Sequence, residues 1–267
     1  MQNRWQKFKL LFQPFAKPNK LTRRLIILYW ILSTLFFWFK FTPGTIPKPD
    51  DIIGAWYVFF QNGLLGELLV SLALNIKAML ISLVICLIFA YSSVMPFMRP
   101  VVNFLAKCRF FGMVGFTLIF QSLTGGGEPL KLTLLVFGMS TFLLTSIAAI
   151  VKSAMKEELD YARTLRMSHW RMVWEIIILG KADQVIEAFR QNAAIGWMML
   201  TTAEGIVRSG GGIGVLLLDE NKHIVMEALF ALQFTVFTVG ILQDGAIAKL
   251  KNIFCPYAKL EVEEEDE

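Results

Sequence analysis

Few residues of this chain have types and positions suited to chemistry. Lys77, Trp197, Thr201, Thr202 and Glu204 each stand inside an otherwise apolar run. In such a run a charged or hydrogen-bonding side chain must face protein or water, and a lysine at the centre costs about 2.5 to 3.5 kcal/mol on insertion scales. Lys77 therefore needs a partner or a wet cavity, and either an anion pathway or an interhelical bond supplies one. Thr201 follows Trp197 by four residues, so the two share a helix face. With Thr202 and Glu204 they form a polar and aromatic stripe. Its hydroxyls and indole N–H suit transient contact with a solute, or hydrogen bonds to neighbouring helices. Covalent chemistry is not indicated. Thr124-Gly125-Gly126-Gly127 lacks the preceding strand and following Gly-Lys-Ser/Thr of a phosphate cradle, and no such loop occurs elsewhere. Cys86, Cys108 and Cys255 have no metal-ligand spacing and read as free thiols. No catalytic residue, metal ligand or bound cofactor is expected.

A second concentration of functional residue types runs from Lys156 to Leu179, a charged island between apolar segments. Leu159, Ala162 and Leu165 recur every three residues, with Glu157 and Arg163 on other faces, so Lys156 to Leu165 is expected to be an amphipathic helix. Thr164 to Ser168 interrupts the pattern before a second helical run from His169 to Ile178. A short helix with an apolar stripe and a charged rim suits the groove of another protein. A solvated or interfacial connector has the same periodicity.

The elements that must position these residues are membrane helices. Of the 267 residues 55% are hydrophobic and 13% aromatic, and the mean hydropathy is +0.56. This composition excludes an ordinary soluble domain. The runs Leu25 to Phe41, Leu68 to Tyr91, Leu130 to Val151 and Ile224 to Leu242 are each of about the length needed to cross a hydrocarbon core. Phe110 to Leu123 and Ala193 to Ile206 are shorter and span only if their polar flanks are buried in the bundle. Six spans with both termini cytoplasmic put 19 of the 26 Lys and Arg inside, six of them between Lys152 and Lys181. Four spans would export that basic stretch, so the positive-inside rule favours six. The net charge of +5 is thus distributed by membrane topology and does not indicate nucleic acid.

The expected organisation is a basic cytoplasmic segment over residues 1–24, a transmembrane body over 25–250 with a cytoplasmic loop at 152–182, and a cytoplasmic tail over 251–267. No cleavable signal is expected, because the first apolar run is long, aromatic-rich and without a small-residue cleavage site. The N-terminal segment interleaves Trp5, Phe8, Leu10, Leu11 and Phe12 with basic residues, which suits an amphipathic contact with anionic membrane lipid or an orientation signal. The tail ends Glu-Val-Glu-Glu-Glu-Asp-Glu and reads as a solvating, disordered run.

Asp160-Tyr161-Ala162-Arg163-Thr164-Leu165, then Ser168, Trp170 and Ile176 to Leu179, resemble the cytoplasmic docking loop of membrane subunits of ATP-binding-cassette importers. That family's frame is Glu-Ala-Ala, three residues, Gly, nine residues, an aliphatic residue, one more, then Leu-Pro. Asp160 and Tyr161 replace Glu and Ala here, Arg166 replaces the Gly, and Ile178-Leu179 replaces Leu-Pro. Further on, Arg190, Trp197, Glu204, Gly212 and Gly214, with Gly240 and Asp244, follow the order and spacing of permeases for nitrate, sulfonate, taurine and similar oxyanions. The resemblance extends from about Glu67 to Leu250.

This resemblance implies an all-α, type I importer-like inner-membrane permease of about six transmembrane helices, moving a small oxyanion by alternating access. It implies a second permease subunit, identical or paralogous, and an extracytoplasmic binding protein. ATPase subunits carrying ATP and Mg would dock through Glu157, Glu158, Leu159, Asp160, Ala162, Arg163, Leu165, Arg166, Ser168 and Trp170. Lys77, Trp197, Thr201, Thr202 and Glu204 are the candidates for the translocation pathway. The altered Gly and Leu-Pro positions leave a transport-deficient or regulatory partner subunit as an alternative. Lys77 and the polar fifth span leave an ATP-independent transporter, although no inverted repeat supports it.

Overall fold

The computed structural model describes residues 20–40, 46–154 and 156–256, and every regular element among them is helical. The basic segment up to residue 19 and the acidic run from 257 lie outside the described residues. The helices are α1 (Lys20–Lys40), α2 (Pro49–Gln61), α3 (Leu64–Ser92), α4 (Arg99–Lys107) and α5 (Met113–Thr124). They continue with α6 (Gly127–Lys152), α7 (Lys156–Thr164), α8 (His169–Met172), α9 (Ala182–Ile206), α10 (Ile213–His223) and α11 (Met226–Phe254). A π-helical run, Val173–Leu179, carries α8 toward α9.

Four of these, α1, α3, α6 and α11, are long and apolar enough to cross a membrane. They fall on the four long apolar runs of the sequence. Helix α9 has 25 residues, about 38 Å at 1.5 Å per residue. It also carries Asp183, Glu187, Arg190 and Glu204. Arg190, Asn192 and Glu204 are all bonded within the bundle, which makes α9 an interior helix rather than a lipid-facing one. The short run at Phe110 to Leu123 is not a straight span. Helix α5 has 12 residues, about 18 Å, and the segment preceding it meets it at 112°. The break falls at Phe111 and Gly112, both extended, which ends one helix and restarts the next.

Helix α6 is the centre of the body, packed on α3, α4, α5 and α9. Leu134, Leu135, Met139, Leu143 and Ile147 form its fully buried face. Small residues let the neighbouring backbones approach it closely. A methyl group placed on Gly196 of α9 would lie 2.8 Å from Met139 Cε. The outer surface is apolar instead: Leu25, Leu28, Leu32 and Phe36 of α1 are all exposed, as a lipid-facing helix requires. Cys86, Cys108 and Cys255 are all buried.

Candidate functional site

Some of the residues picked from the sequence of α9 onward meet one another: Arg190 meets Asp244, Trp197 meets Gly240, and Glu204 meets Gly214. At the end of α9 that adjoins the loop at 152–182, Arg190 donates to Asp244 of α11 at 2.7 and 3.0 Å and to Glu187 at 2.6 Å. Lys251 reaches Glu187 from α11 at 3.1 Å. Midway along α9, Trp197 lies against Gly240 and donates its indole N–H to Gln243 at 2.8 Å. Asn75 of α3 donates to the same Gln243 oxygen at 3.3 Å. Three helices thus meet at one amide.

At the far end Glu204 is wholly buried. Its Oε1 accepts from Ser71 of α3 at 2.7 Å, and its Oε2 accepts from the Gly214 N–H at 2.8 Å. Ser71 in turn accepts from the Ile213 N–H at 2.8 Å. Glu67 accepts from the Gly212 N–H, and Lys131 of α6 donates to the Gly211 carbonyl at 2.6 Å. Glu204 therefore stabilises the first turn of α10, where unpaired N–H groups favour a carboxyl acceptor. The loop can lie this close because Gly210, Gly211 and Gly212 have φ of 81°, 72° and 117°, a region open to glycine at little cost. Side chains on Gly211 and Gly212 would collide with Glu67 and Glu204.

The five pathway candidates are not brought together. Trp197 and Thr201 line an open groove of about 440 Å³ between α9 and α11, with Gln233, Gly240 and Asp244. Thr202 is exposed on another side of α9, its hydroxyl bonded to the Met198 carbonyl. Lys77 projects from the exposed side of α3 and stands 3.9 Å from Glu128. Glu204 belongs to the buried latch. Sequence reasoning missed Glu67, Ser71, Lys131 and Gln243. Lys131 is 2% exposed. A lysine and a glutamate at the ends of adjacent apolar runs was the available signal.

The cytoplasmic loop expected at 152–182 forms a second surface. Helix α7 ends with the Met167 N–H on the Ala162 carbonyl and the Arg166 N–H on the Arg163 carbonyl. This bond pair is a Schellman motif with Arg166 at its left-handed position, φ 54°. Ser168 then caps α8, accepting from the Arg171 N–H at 3.4 Å. The apolar stripe is split. Ala162 is 2% exposed and Leu159 lines a cavity against the body. Tyr161, Leu165 and Trp170 point outward, Tyr161 at 69% and Trp170 at 71% exposure. Asp160 pairs with Arg163 at 2.7 Å, and Glu158 with Lys181 at 3.1 Å. The side chain of Glu157 lies outside the described residues.

No family model matches the chain. It is 21% identical over 133 residues to the taurine transport system permease protein TauC of Escherichia coli (strain K12), covering 50% of this chain and 48% of that protein. It is 23% identical over 106 residues to the bicarbonate transport system permease protein CmpB of Synechocystis sp., covering 40% and 38%. A third match, 20% over 136 residues, is the putative ABC transporter permease protein MJ0413 of Methanocaldococcus jannaschii, covering 51% of each. The chain is similar to ABC-transporter permeases. It spans about half the length of TauC and MJ0413 and less of CmpB. Arg190 with Asp244 and Trp197 with Gly240, each pair more than 40 residues apart in sequence, and Glu204 with the nearby Gly212 and Gly214, are in contact pairwise in this chain.

Proposed function

We propose that this chain is the membrane subunit of an ATP-binding-cassette importer. The observation that carries the reading is the docking loop. It keeps a left-handed bend where the permease frame has glycine, and it displays Tyr161, Leu165 and Trp170 away from the body. An exposed aromatic and aliphatic patch of this kind fits a partner's groove. ATP and Mg would be held by a separate ATPase, since this chain has no phosphate-binding loop. ATP-driven closure of the ATPase pair would move α7 and α8 as a rigid lever, and the pathway would reopen on the other side.

The groove between α9 and α11 is half of such a pathway, and a second permease subunit, identical or paralogous, would close it. Trp197 and Thr201 line it, while Lys77 and Thr202 lie on outward surfaces that the second subunit would cover. Glu204 would shape the path by holding the glycine loop. Relatives named for taurine and bicarbonate favour a small solute bearing oxyanion groups. An extracytoplasmic binding protein would deliver it, with both termini of the chain cytoplasmic in the inner membrane. The test is purification of the tagged chain from its native host in mild detergent, with mass spectrometry of the co-purifying subunits. Two copies with two ATPase subunits, or one copy beside a paralogue with two, support the reading. Recovery of a folded chain without ATPase, even after crosslinking, would overturn it.

A further inference from the structure

Beside the loop at 152–182 the chain forms an open cleft of about 520 Å³, bounded by α7, α8 and the adjoining ends of α3, α4 and α6, with its basic side chains exposed to solvent. Arg99, Lys152, Arg163 and His169 line it, and no carboxyl group of a described residue does. Arg163 has a carboxylate partner in Asp160. The other two fixed cations are satisfied by neutral acceptors. Arg99 donates to the Ser93 and Val94 carbonyls, and Lys152 to the Asn103 side-chain oxygen at 2.8 Å. Among the described residues neither makes an ion pair. The sequence accounts for the imbalance: residues 68–127, which build the α3–α4 wall, contain four Lys and Arg and no Asp or Glu.

Converging cations on a concave, partly apolar surface focus a positive potential, and their mutual repulsion is relieved by a bound anion. The guanidinium of Arg99 and the ammonium of Lys152 suit a compact group with several acceptor oxygens. We propose that this cleft is a binding site for a phosphate-class anion. Its occupant bridges Arg99 and Lys152 on the membrane body to Arg163 and His169 on the loop, and so holds the loop against the body. The anion is either free phosphate or the headgroup of an anionic phospholipid, whose chains would lie along the exposed Phe97, two residues before Arg99, and Phe104 of α4. The site concerns ligand binding by this chain alone and stands apart from the transport reading.

The test uses the full-length chain in an uncharged detergent, titrated with inorganic phosphate and, separately, with phosphatidylglycerol or phosphatidylcholine in mixed micelles. Hydrogen exchange across residues 156–172 is the readout. If the loop opens only when the anion leaves, exchange slows about tenfold at a ligand concentration ten times the half-saturating one. The Arg99→Gln/Lys152→Gln double variant loses this protection, whereas Arg171→Gln, altering an exposed loop cation paired with Glu175, keeps it. Protection by phosphate alone identifies a free anion; protection by phosphatidylglycerol and not by phosphatidylcholine identifies a headgroup. Protection by neither, or protection undiminished in the double variant, overturns the proposal. Should the double variant fail to fold, Arg163→Gln, on the exposed side of α7, replaces it.

Discussion

The chain turns sharply through positive φ in the loop before α10 and in the loop at 152–182, and meets the demand in different ways. In the loop before α10 three glycines do it, pressed against Glu67 and Glu204 inside the bundle. In the loop at 152–182 Arg166 does it, exposed to solvent. Both adopt conformations that favour glycine, but only the first adds a steric demand. Backbone preference alone is worth on the order of 1 kcal/mol, which a surface bend tolerates. Collision with a buried carboxyl group is not tolerated, since close-packed interiors relax only partly. The difference teaches which departures from the permease frame are cheap.

The largest effect is expected at Gly214. A methyl group there would lie 2.6 Å from the Thr201 carbonyl oxygen and 2.8 Å from Glu204 Cβ, and neither the backbone of α9 nor a fully buried side chain can yield. Gly214→Val should cost several kcal/mol, on the order of 3 or more, and reduce the yield of monodisperse protein on size exclusion. Parent-like elution and melting would refute the idea that contact, rather than backbone freedom, fixes this glycine.

Next comes the carboxyl group itself. Glu204→Ala removes the acceptor of both the Ser71 hydroxyl and the Gly214 N–H, each costing about 1 to 3 kcal/mol when left buried and unpaired. Thermal unfolding in detergent should shift down by several degrees. Glu204→Gln, which keeps the shape and one acceptor oxygen, should lose less. Equal losses in the two variants would assign the effect to packing instead of hydrogen bonding.

The four apolar spans and the glycine loop were legible because apolar length and glycine clustering are local properties. The bundle-facing role of α9 was legible in its isolated polar residues, once burial was required to satisfy them. The latch itself was not. Lys131 and Gly211, or Glu67 and Gly212, are far apart in sequence, and no periodicity records which distant backbone a side chain will meet. Nor does periodicity give direction. The spacing of Leu159, Ala162 and Leu165 places them near one face of α7, but it does not say that Ala162 turns toward the body while Leu165 turns out. The 112° break before α5 also escaped, because Phe111-Gly112 is a weak breaker within an apolar run.

That orientation separates two kinds of docking-loop variant. Ala162→Asp buries a charge against the chain's own body and should lower the melting temperature whether or not an ATPase binds. Tyr161→Asp and Trp170→Asp alter side chains that are mostly exposed, so melting should stay within about 0.5 kcal/mol of the parent. Recovery of the proposed ATPase should fall at least about tenfold, as expected for loss of a contact worth 1.4 kcal/mol or more. A full complement of ATPase on both aspartate variants would remove the docking assignment and leave the loop as a connector.

The smallest effect, and the sharpest test of the comparison, is Arg166→Gly. Glycine relieves the left-handed strain by on the order of 1 kcal/mol, but it also gives the unfolded chain more freedom to lose, so the two contributions largely offset. The melting temperature should move by no more than a degree or two, and the Met167 N–H to Ala162 carbonyl bond should persist. If the arginine serves only as a tolerated departure, ATPase recovery is unchanged as well. If its exposed guanidinium reaches an acidic surface on the ATPase, recovery falls in the glycine variant, and the loss grows when Arg166→Glu is compared at low salt, where exposed charges act over longer distances. Unchanged stability with reduced recovery would make Arg166 a contact residue; unchanged values of both would confine its role to the bend.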